Sequence, residues 1–333
     1  MRVLDEIAGK PLILSEKDVD NTLQKIGWNG IIDAVAETFV EEAHGRVISP
    51  PKTIMSFSEF ESDYRTMPAR MEKYPKYVGR KDIGVSSNNP KKGLPLVVGS
   101  YTLRNAETLQ TLLFFDANVS TAYRTAAASA VGVKELSKFD AKTLGIIGCG
   151  QQAYYHIPAV KAIRDIEEIY VTDLDDSKTD KLIDSFDFEI KKMSKRDMFN
   201  NLDVMLTMTT AKEPHMFPKD IPLREMMIVS IGADSEIKSE FSPGTLSVVD
   251  HFCDSYDQVA HTGTFYQALK NGLISEKDLK SLGSYMVGES ELNNSKPVKM
   301  FFSTGVALED LAIAILLHKE FSNKKDSWFQ AKP

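Results

Sequence analysis

Apolar and polar positions follow two different rhythms along this chain, and the rhythm changes after Phe115. A short apolar run at Leu12 to Leu14 is followed by Ser15-Glu-Lys-Asp18, the capping-box pattern that starts a helix. Ile31, Val35 and Phe39 recur at helical spacing and predict a second helix from about Ile31 to His44, stopped by Gly45. From Pro50 onward the segments shorten to strand length: Lys52 to Phe57, Tyr64 to Met67, Val78 to Val85, Leu96 to Leu103 and Thr111 to Phe115. Turn-forming residues separate them, as in Asn88-Asn-Pro-Lys-Lys-Gly93. Strands without intervening helices predict an antiparallel sheet or an open barrel.

The second rhythm begins with an Ala-rich stretch, Val119 to Ser137, which reads as a helix. Strands at 144–148, 169–172, 203–208, 226–231 and 247–250 then follow, with helices at 151–164 and 176–185. Alternation of this kind predicts a parallel, doubly wound α/β sheet. A last helix is expected from Thr304 to Glu320.

One motif gives that sheet a chemistry. Thr143-Leu-Gly-Ile-Ile-Gly-Cys-Gly-Gln-Gln-Ala153 is an apolar strand running into a G-x-G-x-x-A turn. Gly148 is suited to the tight turn, Gly150 to close approach of backbone to a pyrophosphate, and Ala153 to close helix packing. The helix that starts near Gln151 and Gln152 would present unpaired N–H groups and a positive dipole end to that pyrophosphate. Asp173 ends the next apolar strand, 23 residues after Gly150, where an acid accepts from both ribose hydroxyls and repels a 2′-phosphate. The expected cofactor is NAD rather than NADP.

Composition narrows the partners. With 333 residues the chain is long enough for two domains, and 42% hydrophobic with 26% charged residues is the balance of a globular protein. A formal charge of −7 gives no electrostatic footprint for nucleic acid or an anionic membrane, which leaves a small molecule as the expected partner. Two cysteines, Cys149 and Cys253, support neither a disulfide framework nor a paired zinc site and fit a reducing cytoplasm. The first ten residues contain acids and no long apolar run, unlike a signal peptide, and Leu311 to Leu317 is too short to span a membrane. His156, His215 and His261 form no metal spacing.

Several landmarks resemble, in order, those of the ornithine cyclodeaminase and mu-crystallin family. They are Pro50-Pro-Lys52, Arg65-Thr-Met-Pro-Ala69, Asn89-Pro-Lys-Lys-Gly-Leu-Pro95, Arg124-Thr-Ala-Ala-Ala-Ser129, Ile147-Gly-Cys-Gly-Gln-Gln-Ala153, Gly232-Ala-Asp234 and Ser303-Thr-Gly-Val-Ala-Leu-Glu-Asp310. The resemblance implies a homodimer. Its strand-rich α+β domain, at 1–125 and completed by 304–333, binds substrate and forms the subunit contact. A central Rossmann-type domain at 126–303 holds the dinucleotide, and the resemblance puts the active site in the cleft between the two.

Family members act at the Cα–N bond of amino acids or on the corresponding imines. Such chemistry needs cations for the carboxylate, a nicotinamide face for hydride, and one acid or base. The resemblance gives the first task to Lys52, Arg65, Lys81 and Arg124, with Lys81 also polarising a developing carbonyl or imine, and the last to Asp234. It further places Arg124, Thr125, Thr209, Thr210, Gly232, Ser303 and Thr304 beside the cofactor. Read from sequence alone, Lys52 could equally be a solvated edge-strand lysine, and Asp234 a turn residue. Arg124 lies within a small, apolar helix and calls for a partner. Arg80 and Asp82 flank Lys81 and would make its surroundings more polar.

The spacing of Pro-Pro-Lys52, Asp63 and Arg65-Thr-Met-Pro-Ala69 is similar to the archaeal-type alanine dehydrogenase branch of the family. That implies oxidative deamination of a small L-amino acid. The alternatives are redox-neutral ornithine cyclisation and reduction of a cyclic imine such as pyrroline-2-carboxylate. From another class comes a dinucleotide-binding protein without catalysis, like mu-crystallin.

Overall fold

The computed structural model describes residues 11–232, 238–259 and 263–329. The chain divides into two compact units: one runs to Arg124 and resumes at Val306, and the other is Thr125–Gly305.

In the first unit the strands are β1 (Leu12–Leu14), β2 (Val47–Ile48), β3 (Thr53–Phe57), β4 (Ser62–Met71), β5 (Tyr77–Ser86), β6 (Val97–Asn105) and β7 (Thr111–Asp116). Their order is β1-β7-β6-β5-β4-β2, with β3 also on β4. All neighbours are antiparallel except β1, which joins β7 in parallel. The sheet is therefore mixed and open. The helix α1 (Glu16–Ala43) begins at the expected capping box: Ser15 Oγ accepts from Asp18 N at 3.2 Å and Asp18 Oδ2 accepts from Ser15 N at 3.0 Å. The two helices expected here form one element broken at Gly27, whose φ of 77° suits a residue without Cβ.

Helix α2 (Ala117–Leu136) follows β7 and leads into the second unit. There the elements are β8 (Thr143–Ile147), α3 (Gln151–Lys161), β9 (Glu168–Thr172), α4 (Asp176–Asp184), β10 (Lys191–Lys192), α5 (Lys195–Asn201), β11 (Val204–Thr207), β12 (Met226–Ser230) and β13 (Asp250–Cys253). Short helices α6 (Tyr256–Val259), α7 (Gly263–Lys270) and α8 (Leu282–Met286) precede β14 (Val298–Phe302). Every neighbouring pair is parallel, in the order β10-β9-β8-β11-β12-β14-β13. This is a Rossmann-like sheet whose direction of winding reverses between β8 and β11, the point where such sheets bind ligands. Leu144, Ile146, Val204, Leu206 and Ile228 are fully buried in it, each worth roughly 1.5–3 kcal/mol relative to exposure.

Two expectations are corrected here. The strand expected at 247–250 starts at Asp250, because Pro243–Ser247 forms a 3₁₀ turn. The last helix, α9 (Ala307–Phe329), starts after Thr304: the N–H groups of Thr304 and Gly305 donate to Asp254 instead. The strand β14 went unread in the sequence, although it inserts between β12 and β13.

Helix α9 returns to the first unit and packs, with α1, on the inner face of the mixed sheet across β4, β5, β6 and β7. Among the described residues no helix is long and apolar enough to cross a membrane.

Candidate functional site

Strand alternation builds a cluster of buried charges in the first unit. Met67, Lys81, Tyr101, Phe115 and Leu14 stand directly opposite one another on β4, β5, β6, β7 and β1, so they form one row on the buried face. Lys81 is 1% exposed, in the middle of this row. Arg80 and Asp82 point to the opposite face and pair with each other, Nε to Oδ2 at 2.9 Å. The polarity expected from these flanking residues is thus absent from the surroundings of Lys81, because consecutive strand residues face opposite ways.

Its polar neighbours come from helices instead. Lys81 Nζ lies 2.7 Å from Asp310 Oδ2, and Arg124 Nη1 donates to Glu309 Oε2 at 2.8 Å. Arg124 Nε is also 3.5 Å from Asp310 Oδ1. All four side chains are at least nine-tenths buried. Asp310 is the one acid in ion-pair contact with Lys81 among the described residues, and an ammonium carries three donors, which leaves Nζ with unused capacity. Burial lowers the Lys81 pKa to about 8, helped by the Arg124 charge and opposed by Asp310 and Glu309. Beside them the Tyr101 hydroxyl is buried without a hydrogen-bond partner, and burial raises its pKa well above the usual phenol range. The sequence signal for the two acids lay in Leu308-Glu309-Asp310-Leu311, charges in an apolar helix start; the argument applied to Arg124 fitted them equally.

Arg65 faces the same side of the sheet, two residues along β4 from Met67, where Asp63 accepts from its Nε at 2.6 Å and its Nη2 at 3.1 Å. Lys52 is half-buried and immediately precedes β3, whose residues are all exposed.

In the second unit the glycine loop meets its chemical requirements. Gly148 has a φ of 101°, and a Cβ there would come within 2.9 Å of the Met208 carbonyl oxygen beyond β11. A Cβ on Gly150 would stand in open space, so the backbone is accessible at that point. Gly150 is the N-cap of α3 without a side-chain cap, Gln152 Oε1 is buried without a hydrogen-bond partner, and Ala153 is fully buried against the sheet. Gln151 is exposed at the helix start. Asp173 Oδ2 accepts from Cys149 N at 2.7 Å and Oδ1 from Asp175 N at 2.9 Å, which ties the end of β9 to the glycine loop. Each oxygen keeps a further lone pair for a ribose hydroxyl. These residues fit a dinucleotide.

The remaining loops are organised by two buried acids that the sequence reading missed. Glu240 Oε1 accepts from Thr209 N at 2.7 Å, and its Oε2 from Thr207 Oγ1 at 2.8 Å, Ser230 Oγ at 3.0 Å and Gly232 N at 3.0 Å. A Cβ on Gly232 would strike Thr209 O at 2.3 Å, so only glycine allows the loops after β11 and β12 to lie this close. Thr210 is exposed beside Thr209. Asp254 likewise accepts from Thr304 Oγ1 at 3.0 Å and Gly305 N at 2.8 Å. Ser303 is buried, donates its N–H to Ser230 O at 3.0 Å, and keeps its Oγ without a hydrogen-bond partner. Thr125 is buried on α2. Asp234 lies outside the described residues. Among the described residues no cluster of His, Cys, Asp or Glu could hold a metal ion.

Comparison with known proteins bears on this geometry. The model of the ornithine cyclodeaminase/mu-crystallin family matches residues 10–325. The alanine dehydrogenase of Archaeoglobus fulgidus is 28% identical over 317 residues, covering 94% of this chain and 96% of the relative. An archaeal alanine dehydrogenase dimer with bound NAD superposes with a TM-score of 0.86 at 28% identity, covering 95% of this chain and 97% of that one. The Thermococcus litoralis Delta(1)-pyrroline-2-carboxylate reductase, in complex with NADH and L-proline, also gives 0.86 at 28% identity, covering 94% and 98%.

Proposed function

The chain belongs to the ornithine cyclodeaminase/mu-crystallin family, as one of its NAD(P)-dependent enzymes of amino acids and imines, and from that premise we propose that it is an NAD-dependent dehydrogenase of a small L-amino acid. The reaction would convert amino acid, NAD and water to 2-oxo acid, ammonia and NADH. The observation that carries the proposal is the buried pairing of Lys81 and Arg124 with the two acids of α9. It concentrates two cations on the inner sheet face, one of them with hydrogen-bond donors to spare.

Arg124 grips the substrate carboxylate with its planar fork. Lys81, a point charge, draws electron density toward the carbonyl or imine end, and Lys52 and Arg65 complete the subsite for the substrate carboxylate. Asp234 holds and moves the proton of the attacking water or departing amine. NAD, when bound, supplies the hydride acceptor. Gly148, Gly150, Gln151, Gln152 and Ala153, at the N-terminus of α3, would hold its pyrophosphate, and Asp173 would hold the ribose. Arg124, Thr125, Thr209, Thr210, Gly232, Ser303 and Thr304 would hold the nicotinamide side. Because Asp173 stands at the end of β9 beside the glycine loop, a 2′-phosphate would meet its negative charge, and NAD is preferred over NADP. By likeness to the dimeric relative we assign the chain to a homodimer.

The likeness to the pyrroline-carboxylate reductase, equal in fit and identity, favours a second reading: reduction of a cyclic imine to an imino acid such as proline. One experiment separates the readings. The protein is incubated with NAD and L-alanine, L-proline or L-ornithine, and separately with NADH and pyrroline-2-carboxylate, following cofactor absorbance and products. NADH formed with alanine supports the first reading; oxidation of NADH by the imine alone selects the second. Proline from ornithine without net NADH would replace both with cyclodeamination.

A further inference from the structure

Lys81 presents an electrostatic problem, since an ammonium 1% exposed and close to a second cation should shed its proton. The groups that face it can be named from each element packed on β5. From β4 come Met67 and, two residues along, Arg65, which Asp63 neutralises. From β6 comes the Tyr101 hydroxyl. From α2 comes Arg124, and from α9 come Glu309 and Asp310. Glu309 is engaged by Arg124 at 2.8 Å. The acid in ion-pair contact with Lys81 is Asp310, at 2.7 Å and itself 1% exposed.

We propose that Asp310 is a positioning residue for the reaction: its buried ion pair keeps Lys81 an ammonium and fixes its place on the sheet face, so that the substrate meets a charge there. The inference rests on the reading above that Lys81 contacts substrate. Asp310 meets Nζ through one carboxylate oxygen at 2.7 Å, so it secures the charge while leaving further Nζ donors to another acceptor. Arg124 cannot take this role, being a cation itself, and the hydroxyl of Tyr101 carries no compensating charge.

The test uses the full chain labelled with ¹³Cε-lysine, with the Lys81 signal assigned by its loss in Lys81→Arg. The wild-type titration midpoint is expected near 8. In Asp310→Asn it should fall by about 1 pH unit or more, the usual effect of removing an opposite charge at this distance. An unchanged midpoint in that variant, or a wild-type midpoint so low that Lys81 is already neutral at pH 7, overturns the proposal. A second measurement decides the matter should Asp310→Asn not fold. In Asp310→Glu, which keeps the opposite charge but moves it by one methylene, the Lys81 midpoint and the alkaline fall of kcat/KM for the substrate identified above should shift together, and a shift in neither would equally refute the proposal. Lys81→Met separates this inference from the one beneath it: undiminished turnover there removes Lys81 from the substrate site, whatever the titration shows.

Discussion

At the scale of single residues, burial decides which side chains keep their ordinary chemistry. Cys149 stands in the middle of the glycine loop, where a reactive thiol would threaten cofactor binding. Burial pushes its thiol up to about 11, only partly opposed by a hydrogen bond from Thr179. Its thiolate fraction near neutral pH is therefore on the order of a hundredfold below that of an ordinary thiol. Iodoacetamide should leave Cys149 unmodified in the folded protein and label it after denaturation, as read by peptide mass spectrometry; rapid labelling of the native protein would contradict the buried placement. Asp234, proposed as the acid or base, has the opposite requirement. Asp234→Asn should lower kcat by about 10²–10⁴-fold while NAD binding, followed calorimetrically, stays within a factor of a few. Unchanged turnover would remove it from the chemistry. In the wild type, kcat/KM should fall above about pH 8, because Lys81 gives up its proton and with it the positive charge that polarises the substrate.

At the scale of elements, the parallel strands end at loops that carry the proposed cofactor contacts, and Glu240 ties two of those loops together. Its carboxylate faces two backbone N–H groups and two hydroxyls. In Glu240→Gln the amide NH₂ would confront a backbone donor, costing about 1–3 kcal/mol of stability, visible as a lower Tm. An unaltered Tm would show that the clasp is dispensable. Burial raises the pKa of Glu240, although its hydrogen bonds oppose this. The unfolded chain thus releases this proton at lower pH than the folded one. The stabilising contribution of the group is largest in acid and is lost as pH rises through the raised folded value. The margin of wild type over Glu240→Gln should accordingly narrow from the ordinary carboxylate range toward neutrality.

At the scale of the whole molecule, the mixed sheet has one face under α1 and α9 and another that bears Ile13, Met55, Phe57, Val98 and Phe114, all at least 39% exposed. The register assigns these to one side: Ile13 pairs with Phe114, and Met55, Tyr64, Gly84 and Val98 form a continuous cross-strand row. A patch of this kind marks an interface. A second copy of the chain is the proposed occupant, in keeping with the dimeric relative. Phe114→Glu should shift the protein from dimer to monomer in sedimentation experiments; a dimer of undiminished strength would move the contact elsewhere.

The glycine loop, the strand before it and Asp173 were legible in the sequence because their requirements are local: a positive φ, an open approach, a helix N-terminus and a short spacing. The sheet strands of the first unit were legible from turn chemistry between apolar runs. What the sequence could not rank was the short apolar run of β14, which is buried on both faces and has no period to identify it. Nor could it pair Lys81 with Asp310, 229 positions away in the numbering. That pairing exists only because β5 turns Lys81 inward, away from Arg80 and Asp82, and α9 lies across the same face. Local geometry determined where a dinucleotide could bind; the juxtaposition of distant charges, which tertiary packing alone creates, decided which cations are buried, paired and available for chemistry.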